Sequence, residues 1–213
     1  MIIAVDGPAA SGKGTLARRI ARELGYAHLD TGKLYRAVGM AVLRRGGDPS
    51  DPVAAEAAAR ALDLDTLDDP ELAGDEAAQA ASRVSAIPAV RAALLEMQRA
   101  FAARRPGAVL DGRDIGTVVC PEADIKLYVT ASDEIRAQRR HKELLDSGKA
   151  SIYARVLQDL KERDARDSER SVAPMKPAED AVMLDTTALD AEAAFAAAME
   201  HIRLAGAGNP AEQ

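Results

Sequence analysis

The ten residues "DGPAASGKGT" (6–15) limit what this chain can fold into more than any other stretch. They stand between a β-like run, "MIIAV", and a run with helical periodicity, "LARRIAREL". From Gly7 to Lys13 the spacing is GxxxxGK. Glycines let the chain curl so that backbone N–H groups point inward at phosphate oxygens. The helix that follows adds its positive N-terminal end, and Lys13 is placed to reach the β- and γ-phosphates of a nucleotide. A strand, a phosphate loop and a helix in that order belong to an α/β protein. The loop residues expected to bind ATP are Gly7, Pro8, Ala9, Ala10, Ser11, Gly12, Lys13, Gly14 and Thr15. The strict motif has Ser or Thr directly after the lysine, where its hydroxyl binds Mg²⁺. Here Gly14 takes that place and Thr15 comes one later. No direct protein ligand is therefore expected, and Mg²⁺ is expected to be held mainly through ATP and water.

Strand and helix patterns alternate along the rest of the chain. Strands are expected at 2–6, 27–30, 108–112, 125–130 and 181–186. Helices are expected at 13–25, closed by Gly25, and at 33–47, 51–64, 76–86, 88–105, 133–148, 151–169 and 190–205. Pro52 falls in the first turn of its helix. Residues 64–76 carry six acids and no base and read as an exposed loop or small insertion. The last eight residues, "GAGNPAEQ", read as a frayed tail. Five strands separated by helices predict a parallel sheet covered on both faces. Ligands of such sheets bind at the carboxyl ends of the strands, where "DGPAASGKGT" and "DTG" (30–32) begin.

Other features exclude function classes. A net charge of −6 argues against non-specific nucleic-acid binding. No apolar run approaches the roughly 20 residues that span a bilayer. The chain enters a strand with no charged leader, which predicts no signal peptide and a cytoplasmic protein. Cys120, the single cysteine, reads as a buried small hydrophobe in a reducing compartment. His28, His141 and His201 have no metal-ligand spacing; the first reads as strand, the others as helix surface, and none as catalytic.

A kinase whose acceptor is itself a phosphate must gather two polyanions. It needs convergent arginines but no general base, because the attacking oxygen is already anionic. Arg18, Arg19, Arg44, Arg45, Arg104 and Arg105 read as solvated helix faces. In "KERDARDSER" (161–170), Arg163, Asp167 and Arg170 fall at i, i+4 and i+7, one face of a helix. From spacing alone a surface ion-pair ladder fits as well as a phosphate clamp. "DGRDIGT" (111–117) follows a buried strand, so Arg113 and Asp114 emerge at its carboxyl end. "DTGKLYR" (30–36) follows strand two in the same way.

Taken in order, "GPAASGKGT", "LDTGKLYRA", "ASRVSAIPAVR", "LDGRDIGTVVCPEADIKLYVTAS" and "RDARDSERSVAPM" resemble the bacterial cytidylate kinases, from Met1 to about residue 204. The resemblance implies an adenylate-kinase-like P-loop fold with a five-stranded parallel core, a short monophosphate-binding insertion and a lid. The implied boundaries are core 1–63, 106–138 and 178–205, insertion about 64–90, lid about 139–177 and tail 206–213. It implies ATP and Mg²⁺, with CMP or dCMP as acceptor, in a monomer with no nucleic-acid or membrane partner. Lys13, Arg163 and Arg170 are the implied catalytic residues. Thr31, Tyr35, Arg36, Ser82, Arg91, Arg113, Asp114 and Asp167 are the implied CMP-binding set. Within it, Arg36 and Arg113 take the acceptor phosphate, Ser82, Arg91 and Asp114 the cytosine, and Asp167 the ribose hydroxyls. Two departures stand out: the insertion is short and acidic, and Lys33 replaces a residue that is usually small. A shikimate- or gluconate-type kinase, and a kinase taking UMP or AMP, share the loop. A GTPase switch is disfavoured because Asn209 is the sole asparagine, so no guanine-reading NKxD motif exists.

Overall fold

The computed structural model describes residues 1–207. Five strands form one all-parallel sheet: β1 (Ile2–Asp6), β2 (Ala27–Asp30), β3 (Ala108–Gly112), β4 (Ile125–Thr130) and β5 (Val182–Asp185). Their order across the sheet is β2-β3-β1-β4-β5. Eight α-helices connect and flank them: α1 (Lys13–Leu24), α2 (Thr31–Arg44), α3 (Pro52–Arg60), α4 (Asp75–Val84), α5 (Pro88–Ala102), α6 (Asp133–Asp146), α7 (Tyr153–Glu169) and α8 (Ala191–Ala207).

The sheet is apolar on both faces because helices cover both. Ile3 and Val5 of β1 pack with Val109, Leu127 and Val129 against Leu16, Ala17 and Ile20 of α1 and Ala198, Met199 and Ile202 of α8. Ala4 and Leu110 point the other way, onto Leu34 and Val38 of α2, Ala55 of α3 and Leu94 of α5. Leu144 of α6 packs with Val156 and Leu160 of α7 in a separate small cluster. Cys120 is buried and free, as its reading predicted.

The structure differs from the sequence-based expectations in places where tertiary contacts decide. Residues 66–76 are mostly exposed, as expected, but the segment from 64 to 76 is not irregular throughout. It holds two 3₁₀ turns, Leu64–Asp68 and Pro70–Ala73, and Leu72 is buried with Ala37, Met40 and Ala77. Helix α2 starts at Thr31, two residues early, and α3 stops at Arg60, well short of 64. A π-helical turn, Ile115–Val119, follows β3 where no element was expected. It is held by Asp6, whose two oxygens accept from the backbone N–H groups of Ile115 and Gly116 at 2.8 Å each. Helix α8 continues to Ala207, and the rest of the expected tail lies outside the described residues.

Candidate active site

The carboxyl ends of β1, β2 and β3 open into a cavity of about 410 Å³. The loop after β1 forms one wall. Ala10 at φ 58° and Gly12 at φ 91° curl it, and Lys13 begins α1. At Gly7 the backbone passes so close to β4 that a Cβ would sit 2.0 Å from the Val129 carbonyl oxygen, so only glycine fits. Of the loop residues, Ala9, Ala10, Gly12, Lys13, Gly14 and Thr15 line the cavity. Gly7 and Pro8 shape the loop from outside that wall; the Pro8 carbonyl accepts from Lys13 Nζ at 3.4 Å. Ser11 borders a neighbouring cavity of about 240 Å³ with Gly12, Thr15 and Thr186, and its buried Oγ has no hydrogen-bond partner.

Burial pushes the Lys13 ammonium down to about 7, and Arg113 pushes in the same direction. Such a cation gains most from a bound anion. Arg163 reports the same condition. Burial, with Arg113 and Arg36 nearby, brings its guanidinium down to about 10, and its buried Nε lacks a hydrogen-bond partner. Arg36 also lines the cavity and donates to the Leu72 carbonyl at 2.6 Å, so the 3₁₀ turn anchored by buried Leu72 positions a cavity cation.

Asp114, also on the cavity wall, is bracketed. Arg91 donates to its Oδ2, and Arg170 Nη2 lies 3.4 Å from its Oδ1. All three side chains are at most 8% exposed. Arg91 also sits over the Tyr35 ring at 5.4 Å. Arg113 Nε bonds Asp167 Oδ2 at 3.1 Å, and Arg163 stands 4.0 Å from the same oxygen. Thr31 lines the cavity and its Oγ1 donates to the Asp111 carbonyl at 2.8 Å.

The helical-face argument for Arg163, Asp167 and Arg170 holds only in part. Helix α7 ends at Glu169, and Arg170 is its extended cap residue, with ψ 141°. It reaches Asp114 by leaving the helix. A surface ladder is excluded, because Asp167 and Arg170 are buried at the cavity. Ser82 is buried but does not line the cavity. Its Oγ accepts from Arg166 Nε at 3.1 Å, and Ser85, one turn on, lines the wall instead.

Several cavity residues had no distinctive sequence signal. Arg139 and Arg140 on α6 line the wall, and so does Arg18, which reads as solvated helix face in the sequence. Arg139 is tied to the Ser11 and Thr186 carbonyls at 3.3 and 2.7 Å. Arg136, buried, clamps the Ala9 carbonyl at 3.0 Å and Asp164 of α7 at 2.6 Å, joining the loop to that helix. Asp30 and Asp111 place two carboxylates beside Lys13 on the cavity wall. Their positions at the ends of β2 and β3, in the DTG and DGR segments, were the available signal. Lys33 does not line this cavity. It borders a second cavity of about 560 Å³, with its Nζ 3.5 Å from Asp68.

A model of the cytidylate kinase family matches residues 3–204. The chain is 64% identical over 201 residues to a cytidylate kinase of Paramagnetospirillum magneticum, covering 93% of this chain and 95% of that one. It is 63% identical over 204 residues to a cytidylate kinase of Rhodospirillum rubrum, covering 94% and 96%. With that of Methylocella silvestris the identity is 60% over 215 residues, covering 99% and 100%. A solved structure of an uncharacterized protein from Eubacterium ventriosum superposes with a TM-score of 0.55 at 14% identity, over 96% of this chain and 98% of that one, a likeness of fold alone. Because the family match runs from β1 into α8 and takes in every cavity residue named above, the chain belongs to the cytidylate kinase family.

Proposed function

We propose that this protein transfers the γ-phosphoryl group of ATP to CMP and dCMP, releasing ADP and CDP or dCDP. One observation carries the reading: a single cavity is lined both by the phosphate loop and by Asp114, bracketed by Arg91 and Arg170. These two parts of its wall suit the two ends of the reacting pair, ATP phosphates and acceptor base. Arg36, Arg113 and Arg163 line the same cavity and take the acceptor and transferring phosphates, with Arg170 closing from the end of α7. No base is required, because the acceptor oxygen is already charged. Positioning and charge neutralisation supply the rate. Asp114 has lone pairs left after its two guanidinium contacts and accepts from cytosine N4, while Arg91 donates to N3 or O2. Tyr35 stacks below Arg91, Asp167 takes the ribose hydroxyls, and Ser82 acts at one remove, through Arg166.

Among the described residues, no group of three or more His, Cys, Asp or Glu side chains is placed to hold a metal by itself. Asp30, Asp111 and the Thr15 hydroxyl nevertheless offer hard oxygens beside Lys13, which fits an Mg²⁺ that keeps phosphate and water ligands. When bound, the metal neutralises β- and γ-phosphate charge. Residues 139–177 act as a lid that excludes water, and about 64–90 as the acceptor-binding segment. The protein works as a monomer in the cytoplasm. No helix of the described residues is long and apolar enough to cross a membrane.

The test is ADP release with ATP, Mg²⁺ and a panel of CMP, dCMP, UMP, AMP, shikimate and gluconate. CMP and dCMP should lead in kcat/KM. Release that ignores the acceptor, or equal use of UMP, would refute the reading.

A further inference from the structure

His28 is a half-buried polar side chain of the sheet that the proposed reaction leaves unused. In the parallel pairing of β2 with β3, His28 stands opposite Val109 and Asp30 opposite Asp111. Side chains two apart share a face, so His28 lies diagonal to Asp111 on the face where Val109 meets α1. The histidine Nε2 is 2.8 Å from Asp111 Oδ1. An ionised carboxylate only accepts, so the imidazole donates. The second oxygen, Oδ2, faces the phosphate loop, since a Cβ built on Gly14 would lie 3.5 Å from it. Thr31 secures the Asp111 backbone separately, at its carbonyl. Among the described residues, the carboxylate's hydrogen bond is the one to His28.

We propose that His28 is a positioning residue: it holds Asp111 by one oxygen so that the other stays aimed at the loop where metal-bound ATP phosphates lie. The proposal rests on the kinase reading. An aspartate's last torsion is broad and only weakly restricted. Released from His28, Asp111 would swing onto Lys13 and draw that cation away from the phosphates. His28 and Asp30 also border the cavity of about 560 Å³, so water can replace a truncated imidazole without collapse of the sheet. Hydrogen bonds behind a metal-facing carboxylate are typically worth about 10- to 100-fold in metal affinity or activity.

The experiment uses the full chain as wild type, His28→Ala, His28→Gln, Asp111→Asn and the His28→Ala/Asp111→Asn double variant. Calorimetry measures binding of the β,γ-imido analogue of ATP with and without Mg²⁺. In His28→Ala the strengthening by Mg²⁺ should fall about tenfold or more, with a smaller loss of metal-free binding as Lys13 is drawn from the phosphates. Turnover should show a lower kcat at unchanged KM for CMP. His28→Gln, which keeps an N–H near the Nε2 position, should restore most of both. On the Asp111→Asn background, His28→Ala should add nothing, because the two act as one unit. A folded His28→Ala with a wild-type metal response would overturn the proposal, as would a loss that persists in full on the Asp111→Asn background. The analogue readout needs no acceptor, so it fails or succeeds separately from the assignment of CMP.

Discussion

Asp114→Asn tests the base-reading side of the cavity, because it removes one charge and changes almost no volume. In the wild type, Arg91 and Arg170 each meet one oxygen of Asp114, and all three side chains are buried. The variant leaves two guanidiniums facing a neutral amide. Breaking a buried pair by removing one partner costs about 3–5 kcal/mol. Here the lower end applies, because Arg91 keeps the Ser85 carbonyl at 3.3 Å and Arg170 the Ala173 carbonyl at 2.5 Å. For a chain of this size, about 3 kcal/mol lowers Tm by about 6–12 °C. The kinetic consequence is separate. The asparagine amide oxygen can still accept from cytosine N4, but a hydrogen bond to a charged group contributes about 1.5–3 kcal/mol against about 0.5–1.5 for a neutral one, so losing the charge lowers kcat/KM for CMP about tenfold. UMP should lose less, because an asparagine amide can donate to uracil O4. The CMP:UMP ratio should therefore fall by up to about tenfold. Coupled ADP release with each acceptor reads the ratio, and thermal melting reads the stability. A folded variant with the wild-type ratio would refute the assignment of Asp114 to the base. An unshifted Tm would refute the account of the buried ion pair.

Lys13→Met should lower kcat at least about a hundredfold, the scale of losing one preorganised electrostatic stabiliser, with a smaller effect on ATP affinity. Lys13 is depressed to about 7 in the folded protein, so the unfolded chain binds the extra proton between that pH and the ordinary lysine value. Unliganded wild type should therefore gain stability relative to Lys13→Met as pH rises from about 7 to 10, and equal slopes in denaturant titrations would contradict the burial argument. Arg170→Ala should depress kcat strongly in a protein that still melts cooperatively; unchanged turnover would remove it from the transferring phosphates. Gly7→Ala drives a Cβ into the Val129 carbonyl and should lose nucleotide binding and stability together, measured by analogue calorimetry and Tm.

Much of the architecture was legible in the chain because it is encoded locally. The strand–loop–helix context and glycine spacing of residues 6–15 specify a phosphate loop wherever the rest of the chain goes. Five apolar runs alternating with helical periods specify a parallel sheet with both faces covered, and the loops after β1, β2 and β3 supply the cavity as the topology requires. What spacing could not decide was which side chains converge. Arg170 continues a helical period in the sequence, yet the helix stops at Glu169 and the extended cap carries it to Asp114. Ser82 and Ser85 are chemically alike, and only the packing of α4 against α7 ties one to Arg166 and leaves the other at the wall. Arg136, Arg139 and Arg140 look like one more charged helix face until α6 docks over the loop. His28 reaches Asp111 only because β2 pairs with β3, an adjacency that strand order alone creates. Local periodicity is a property of neighbouring residues, so a sequence determines it by itself. Convergence at a site is set by contacts between residues far apart in the chain, and only the tertiary structure decides it.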